Sequence, residues 1–186
     1  MNDMFTFSRA QLEARERCLE TAEILKEILP GFKNAYVTRI APEIGVRVTR
    51  TIKGEGEITI NDLETGARFD DVIGVIPGWH CSPSDKGKKL ATFNVDLPFS
   101  ILLPQSISNL VIGSGRSVSG RKAVWSVLRS QCVCMVIGQA AGAAAALMKN
   151  GINTKVPIKK LQKLLLEQGV YLGGDARLTE IGLRSL

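Results

Sequence analysis

The residues best suited to chemistry lie in "NLVIGSGRSVSGRKAVWSVLRSQCVCMVIGQAAGAAAALMKNG", residues 109–151. An apolar run at 110–115 opens into a glycine-rich turn, with Gly113, Gly115, Arg116 and Ser117 in succession. A long Ala/Gly segment follows, which Ser130 is placed to N-cap, so the pattern predicts a helix over 131–149 ended by Asn150-Gly151. Strand, glycine loop and helix in that order are how α/β folds aim backbone amides at phosphates and similar anions.

Two well-known phosphate motifs nearly fit, and neither does. A dinucleotide fingerprint needs GxGxxG, but after Gly113 and Gly115 the third place is Val118, and Gly120 comes two residues late. A P-loop needs GxxxxGK followed by Ser or Thr; "GRSVSGRK" displaces the lysine by one and continues with Ala123, leaving no hydroxyl for magnesium. No other GxGxxG occurs in the chain.

His80, the single histidine, sits in "PGWHCSP" and suits a general acid or base because its pKa lies near neutrality; a structural role is the alternative. Arg47 and Arg50 in "VRVTRTI" are read onto the polar face of a strand, as a carboxylate clamp for substrate or as edge-strand surface charge. Cys132 at a helix amino end is a candidate reactive thiol, whereas Cys132 and Cys134 cannot share one helical face as a redox pair. No metal site is expected: "CVC" is too tight for a CxxC ligand pair and only His80 could help.

These residues need elements to hold them. A helix is predicted over 8–29, with Ser8 and Gln11 as a capping box, Leu19, Ala22, Leu25, Ile28 and Leu29 as its apolar stripe, and Pro30-Gly31 as its stop. The runs "NAYVTRIA", "IGVRVTRTI" and "GEITI" read as strands, "NDLETGARF" as a turn, and "DDVIGVIPGW" as an apolar strand or short helix. Residues 82–89 read as a polar loop, 110–115 as a short buried strand, and 157–169 as a helix with Pro157 at its first position. The tail from 173 carries little pattern.

The totals limit the classes available. At 186 residues, 45% hydrophobic and 23% charged, the chain suits a globular protein of one domain, or of one domain plus a small appendage. Aromatics are only 5%, so the core must be aliphatic and rich in small residues. The charge of +6 is scattered, and the densest groups, 86–89 and 155–163, lack the interleaved aromatics of a nucleic-acid groove. The run 132–148 is shorter than the ~20 large apolar residues a bilayer crossing wants. It therefore reads as a helix buried all round in a globular domain, not a membrane span. The first sixteen residues carry no long apolar stretch, so a cytoplasmic location with reduced thiols is expected.

"DLPFSILLPQSISNLVIGSGRSVSG" and "LRSQCVCMVIGQAAGAAAALMKNG" together resemble the carboxy-terminal portion of FAD-dependent oxidoreductases, in the branch related to fumarate reductase flavoproteins. "PGFKNAYVTRIAPEIGVRVTRTIKGEGEITINDLETGARFDD" resembles their substrate-side segment, so the likeness runs from about residue 8 to 172. It implies a partial α/β, overall α+β, form of the glutathione-reductase-like FAD-binding fold: short, mostly antiparallel strands and one long buried helix. The expected division is 1–100, a helix and cap-like β segment; 101–151, the closing strand and helix of the FAD domain; and 152–186, a helix and tail.

The resemblance also implies roles. Gly115, Arg116 and Ser117 would lie beside the ribityl and pyrophosphate of FAD, where an arginine can pair with phosphate oxygens. The amides from Gln131 to Cys134, behind Ser130, would face the flavin pyrimidine and stabilise negative charge there. Relatives often carry proline at the place of Cys132. Arg129 would add positive charge near the ring, and Gly138, Ala141 and Gly142 would keep the helix slim for a nucleotide-binding helix. The GxGxxG half of the family is missing from this chain, so a separate chain carrying it is an expected partner, alongside the flavin nucleotide. The expected function is a component or fragment of an FAD-dependent oxidoreductase. The alternative is a non-enzymatic domain that self-associates, as a homodimer, and does not bind FAD alone.

Overall fold

A computed structural model describes residues 3–77, 94–148 and 156–184 of the chain. His80, Cys81, the polar loop 82–89 and the Asn150-Gly151 helix stop lie outside the described residues. The chain divides into two compact units, Met1–Thr49 and Arg50–Leu186, considered separately.

The first unit is built on α1 (Met4–Ile28), which begins a turn earlier than the Ser8 cap predicts. Asp3 is the N-cap, and its carboxylate accepts from the Thr6 hydroxyl at 2.6 Å and the Thr6 amide at 2.8 Å. Those two bonds, the hydroxyl's first, hold the Asp3 pKa below its ordinary value. Ser8 is thereby left inside the helix, and Gln11 instead accepts the Ile44 amide through Oε1 at 2.9 Å. Arg15 donates to the Pro42 carbonyl at 3.0 Å, a second tie between helix and following chain. None of the described residues 3–49 is buried, and Leu19 and Ile28 of the predicted apolar stripe stay 53% and 65% exposed. The predicted strands at 34–41 and 44–52 do not form, because these segments have no ladder to join.

The second unit owns the core. After α2 (Ile60–Thr65) comes β1 (Val72–Ile76), which pairs antiparallel with β2 (Val95–Pro98); then come α3 (Trp125–Leu128), α4 (Gln131–Leu147), α5 (Ile158–Glu167) and α6 (Asp175–Glu180). The register puts Ile76 opposite Val95 and Val75 opposite Asp96, with an irregularity between Val72 and Gly74. Val72, Ile73 and Ile76 of β1 and Val95 and Leu97 of β2 are buried, together with Ile137, Ala140 and Ala144 of α4 and Leu161 and Leu165 of α5. A glycine on β1 lets α4 approach the hairpin: a Cβ built on Gly74 would collide with Val136 of α4.

Four sequence expectations change here. "NDLETGARF" is not a plain turn: Thr59 and Asp62 form a capping box that starts α2, and Gly66 at φ 68° closes it. "GEITI" and 110–115 are not strands. Residues 52–58 thread irregularly between two neighbours: Ile52 N–H bonds the Ser117 carbonyl at 2.9 Å, Glu55 N–H that of Leu103 at 2.8 Å, and the Ile58 carbonyl accepts the Arg121 amide at 3.1 Å. Gly54 and Gly56 permit this, since a Cβ at either would collide with Ser119 or Ser100. Along 110–115 the Ile112 amide bonds the Leu102 carbonyl at 2.9 Å, with no regular ladder. Pro157 is the N-cap of α5 and not its first helical residue.

A buried carboxylate ties the hairpin to the carboxy-terminal helix. Asp96, fully buried on β2, accepts from Arg68 at 2.7 Å, Arg177 at 2.8 Å and the Phe69 amide at 3.1 Å. Burial is the largest single influence on Arg177 and works to lower its pKa. Hydrogen bonding to Glu180 and the charge and hydrogen bond of Asp96 outweigh it, so the pKa is raised and the guanidinium stays charged at every ordinary pH. Around it Leu172 and Ile181 pack on Val72 as a small second cluster. Removing Arg177 would leave the buried Asp96 only the part-exposed Arg68 and the Phe69 amide as partners. Arg177→Ala should therefore cost roughly 3 kcal/mol in urea unfolding followed by circular dichroism. Arg121→Ala, which breaks the exposed pair with Glu57, should cost less than about 1 kcal/mol.

Candidate cofactor site at the mouth of the long helix

Three short pieces meet at one point of the second unit. The chain leaves the 310 turn Lys122–Val124, passes through α3 and turns into α4, so that Lys122–Leu128 and Gln131–Leu147 are bent by 85°. Trp125 anchors the turn by donating its indole N–H to the Gly120 carbonyl at 2.8 Å. The Arg129 amide bonds the Trp125 carbonyl at 3.2 Å and the Ser130 amide that of Val127 at 3.0 Å, closing α3. Ser130 is extended, with φ −63° and ψ 149°, and α4 starts at the next residue as predicted. The Ser130 hydroxyl caps none of the first-turn amides; it sits 3.5 Å from Cys132 Sγ.

The glycine loop is pressed against this turn. Gly115 is buried, and a Cβ built on it would fall inside the Leu128 carbonyl oxygen and 3.0 Å from Cys134 Sγ. No side chain fits there, so the backbone itself is the contact surface. The loop is tightened by Ser114, whose carbonyl accepts the Ser117 and Val118 amides at 3.0 and 3.2 Å and whose hydroxyl accepts the Arg116 amide at 3.3 Å. The structure thus brings Gly115, Arg116 and Ser117 beside the Leu128–Cys134 turn that carries Arg129, Ser130, Gln131 and Cys132. Arg116, Arg129, Gln131 and Cys132 are exposed.

Gly138 lies two turns along α4, 3.8 Å from the Gly113 carbonyl when measured from its would-be Cβ, and Gly113 faces Ala141 at 3.6 Å in the same sense. The expectation that α4 is buried all round does not hold. Val133, Ile137, Ala140, Ala143 and Ala144 are buried, but Met135, Gly138, Gln139 and Gly142 are exposed, because among the described residues that side meets little beyond the Gly113 backbone and Gln168, which accepts from Gln139 at 3.0 Å. A Cβ at Gly142 would meet nothing within 4 Å. The helix therefore shows a smooth, backbone-lined face.

The remaining candidates fall elsewhere in the chain. Arg47 belongs to the first unit, where its guanidinium folds over Gly45, and Arg50 to the second; neither lies on a strand. His80 lies outside the described residues. Among the described residues no group of three His, Cys, Asp or Glu could hold a metal ion, and no single helix is long and apolar enough to cross a membrane. Sequence reasoning missed the Asp96 cluster, though a carboxylate inside the apolar run "NVDLPF" is its signal.

The chemistry present fits one end of a flavin nucleotide. A helix mouth uncapped by its own serine presents positive dipole to an electron-rich edge, and an exposed arginine beside it suits a phosphate. A family model described as FAD dependent oxidoreductase matches residues 1–165. No curated protein and no solved structure matches the chain.

The glycine geometry makes a paired prediction about stability. Gly115→Ala should destabilise the chain by at least about 2 kcal/mol, because backbone must move to admit the methyl group. Gly142→Ala should instead stabilise it by up to about 1 kcal/mol, since the residue is exposed on a helix and gains helix propensity. Thermal unfolding of the two variants, in parallel with the parent, checks both signs.

Proposed function

The chain belongs to the FAD-dependent oxidoreductase family, and from that premise we propose that it supplies the flavin-ring side of an FAD site. Bound FAD takes up or gives a hydride equivalent. The protein's part is to hold and orient that group. The Gln131–Val133 amides at the mouth of α4 would stabilise negative charge on the ring's pyrimidine edge, as donors fixed in advance and needing no reorganisation, while the Cys134 amide is already taken by the Ser130 carbonyl at 2.9 Å. Arg129 adds positive charge to the same turn. Arg116 would hold phosphate oxygens, and the Gly115–Ser117 backbone would hold the ribityl portion. His80, Arg47 and Arg50 serve the substrate side.

The observation that carries this reading is the buried contact of Gly115 with the Leu128 carbonyl. It fixes the loop bearing Arg116 against the turn bearing Arg129 and Ser130. The smooth Gly138–Gly142 face is where the nucleotide-binding half of the site, supplied by another polypeptide segment carrying GxGxxG, would pack. A second reading is favoured by the same exposed face: two copies of the chain cover it by self-association, without cofactor and without activity. That face is otherwise left wet, with Met135 at 73% exposure beside it.

On this reading the adenosine half is held by the other polypeptide segment, so binding to this chain should depend on ring and phosphate alone. FMN and FAD should quench with equal affinity, and riboflavin about tenfold more weakly, the worth of one charge-assisted hydrogen-bond pair. Arg116→Ala should abolish the difference between riboflavin and FMN. Titrations read by flavin fluorescence decide it: no quenching by any of the three, from a chain that elutes as a dimer, selects the self-association reading.

A further inference from the structure

The ring-facing turn has a second neighbour. A cavity of about 330 Å³ opens between the end of β1 and the first two turns of α4, lined by Val75, Ile76, Pro77, Leu97, Val133 and Val136, with Cys132 beside them. Its size is at the small end of ligand sites, which run from about 300 to 1,000 Å³. Ile76, Leu97 and Val133 belong to the buried core, so these walls are fixed by the packing of the whole unit. Val75, Pro77 and Val136 are half-buried, and the exposed Cys132 marks the open side.

The lining decides what can bind. No charged side chain is among the described lining residues. The described walls offer an ionised or richly hydroxylated molecule few partners for the water it would shed. An apolar one gains roughly 25 cal/mol for each Å² it buries. The position decides what such binding is for. Cys132 and Val133, the second and third residues of α4, border the cavity and also carry amides of the turn assigned to the flavin ring.

We propose that this cavity is the substrate subsite of the same centre and takes a small, neutral, predominantly hydrocarbon molecule. Its role as a substrate subsite rests on the flavin reading; its capacity for apolar molecules does not.

The neutral dye N-phenyl-1-naphthylamine tests this on the full chain. Without flavin its fluorescence should rise and saturate at one dye per chain. Val75→Trp, which fills the cavity from its rim, should weaken binding about tenfold or more with the circular dichroism spectrum unchanged. Should that variant fail to fold, Val75→Lys, which sets a charge at the same rim, should give the same loss. Unsaturable binding, or binding indifferent to the folded variant, overturns the proposal. Flavin addition separates the two claims. Dye and FMN bound together support a substrate subsite, and displacement of the dye by FMN gives the cavity to the ring and overturns it. Dye binding with no FMN binding removes the substrate role and the flavin reading together, leaving only an apolar cavity.

Discussion

One forbidden atom organises the second unit: there is no room for a side chain between residue 115 and the carbonyl of Leu128. A glycine there lets two stretches of backbone touch, and everything of chemical interest is hung on that touch. Arg116 and Ser117 follow it on one side; Arg129, Ser130 and the first amides of α4 follow it on the other. Close contact of backbone against backbone is stiff, because neither surface has rotamers to adjust. A centre that must meet a planar ring needs such stiffness, since donors aimed in advance cost nothing to reorganise.

The rest of the unit keeps that contact in place. The hairpin and α5 bury the inner face of α4, and the 52–58 segment bonds the 117–121 loop from behind. Asp96, with its two arginines, locks the hairpin to a carboxy-terminal helix beyond the part matched by the family. An ion pair of this kind is weak evidence of stability by itself, because desolvation consumes most of its attraction. Its effect is selective: the fold that brings Arg177 to Asp96 completes the partners of a buried carboxylate otherwise left to Arg68 and the Phe69 amide. The first unit has no comparable internal support, and among its described residues none is buried.

What the sequence discloses follows from where the determining forces lie. The start of α4 is legible because Ser130 and the Ala/Gly run are local signals, and so is the end of α1 at Pro30-Gly31. The nucleotide-linked family is legible from the glycine loop and helix taken together. The strands read into 34–60 are not found, because apolar alternation shows only that a segment could pair, and pairing needs a neighbour at the right register. The start of α1 shifts from Ser8 to Asp3 because two good caps compete and the earlier one gains another turn. The exposure of Gly138 and Gly142 was unreadable: a small-residue stripe looks the same whether another surface lies on it or water does.

Amide chemical-shift mapping by two-dimensional NMR, with FMN titrated into the labelled chain, tests the central claim most directly. If the backbone contact at Gly115 frames a ring site, shifts should concentrate in Gly115–Ser117 and Gln131–Cys134 and fade along the rest of α4. Shifts spread elsewhere in the molecule, with those two stretches unmoved at saturation, would contradict it.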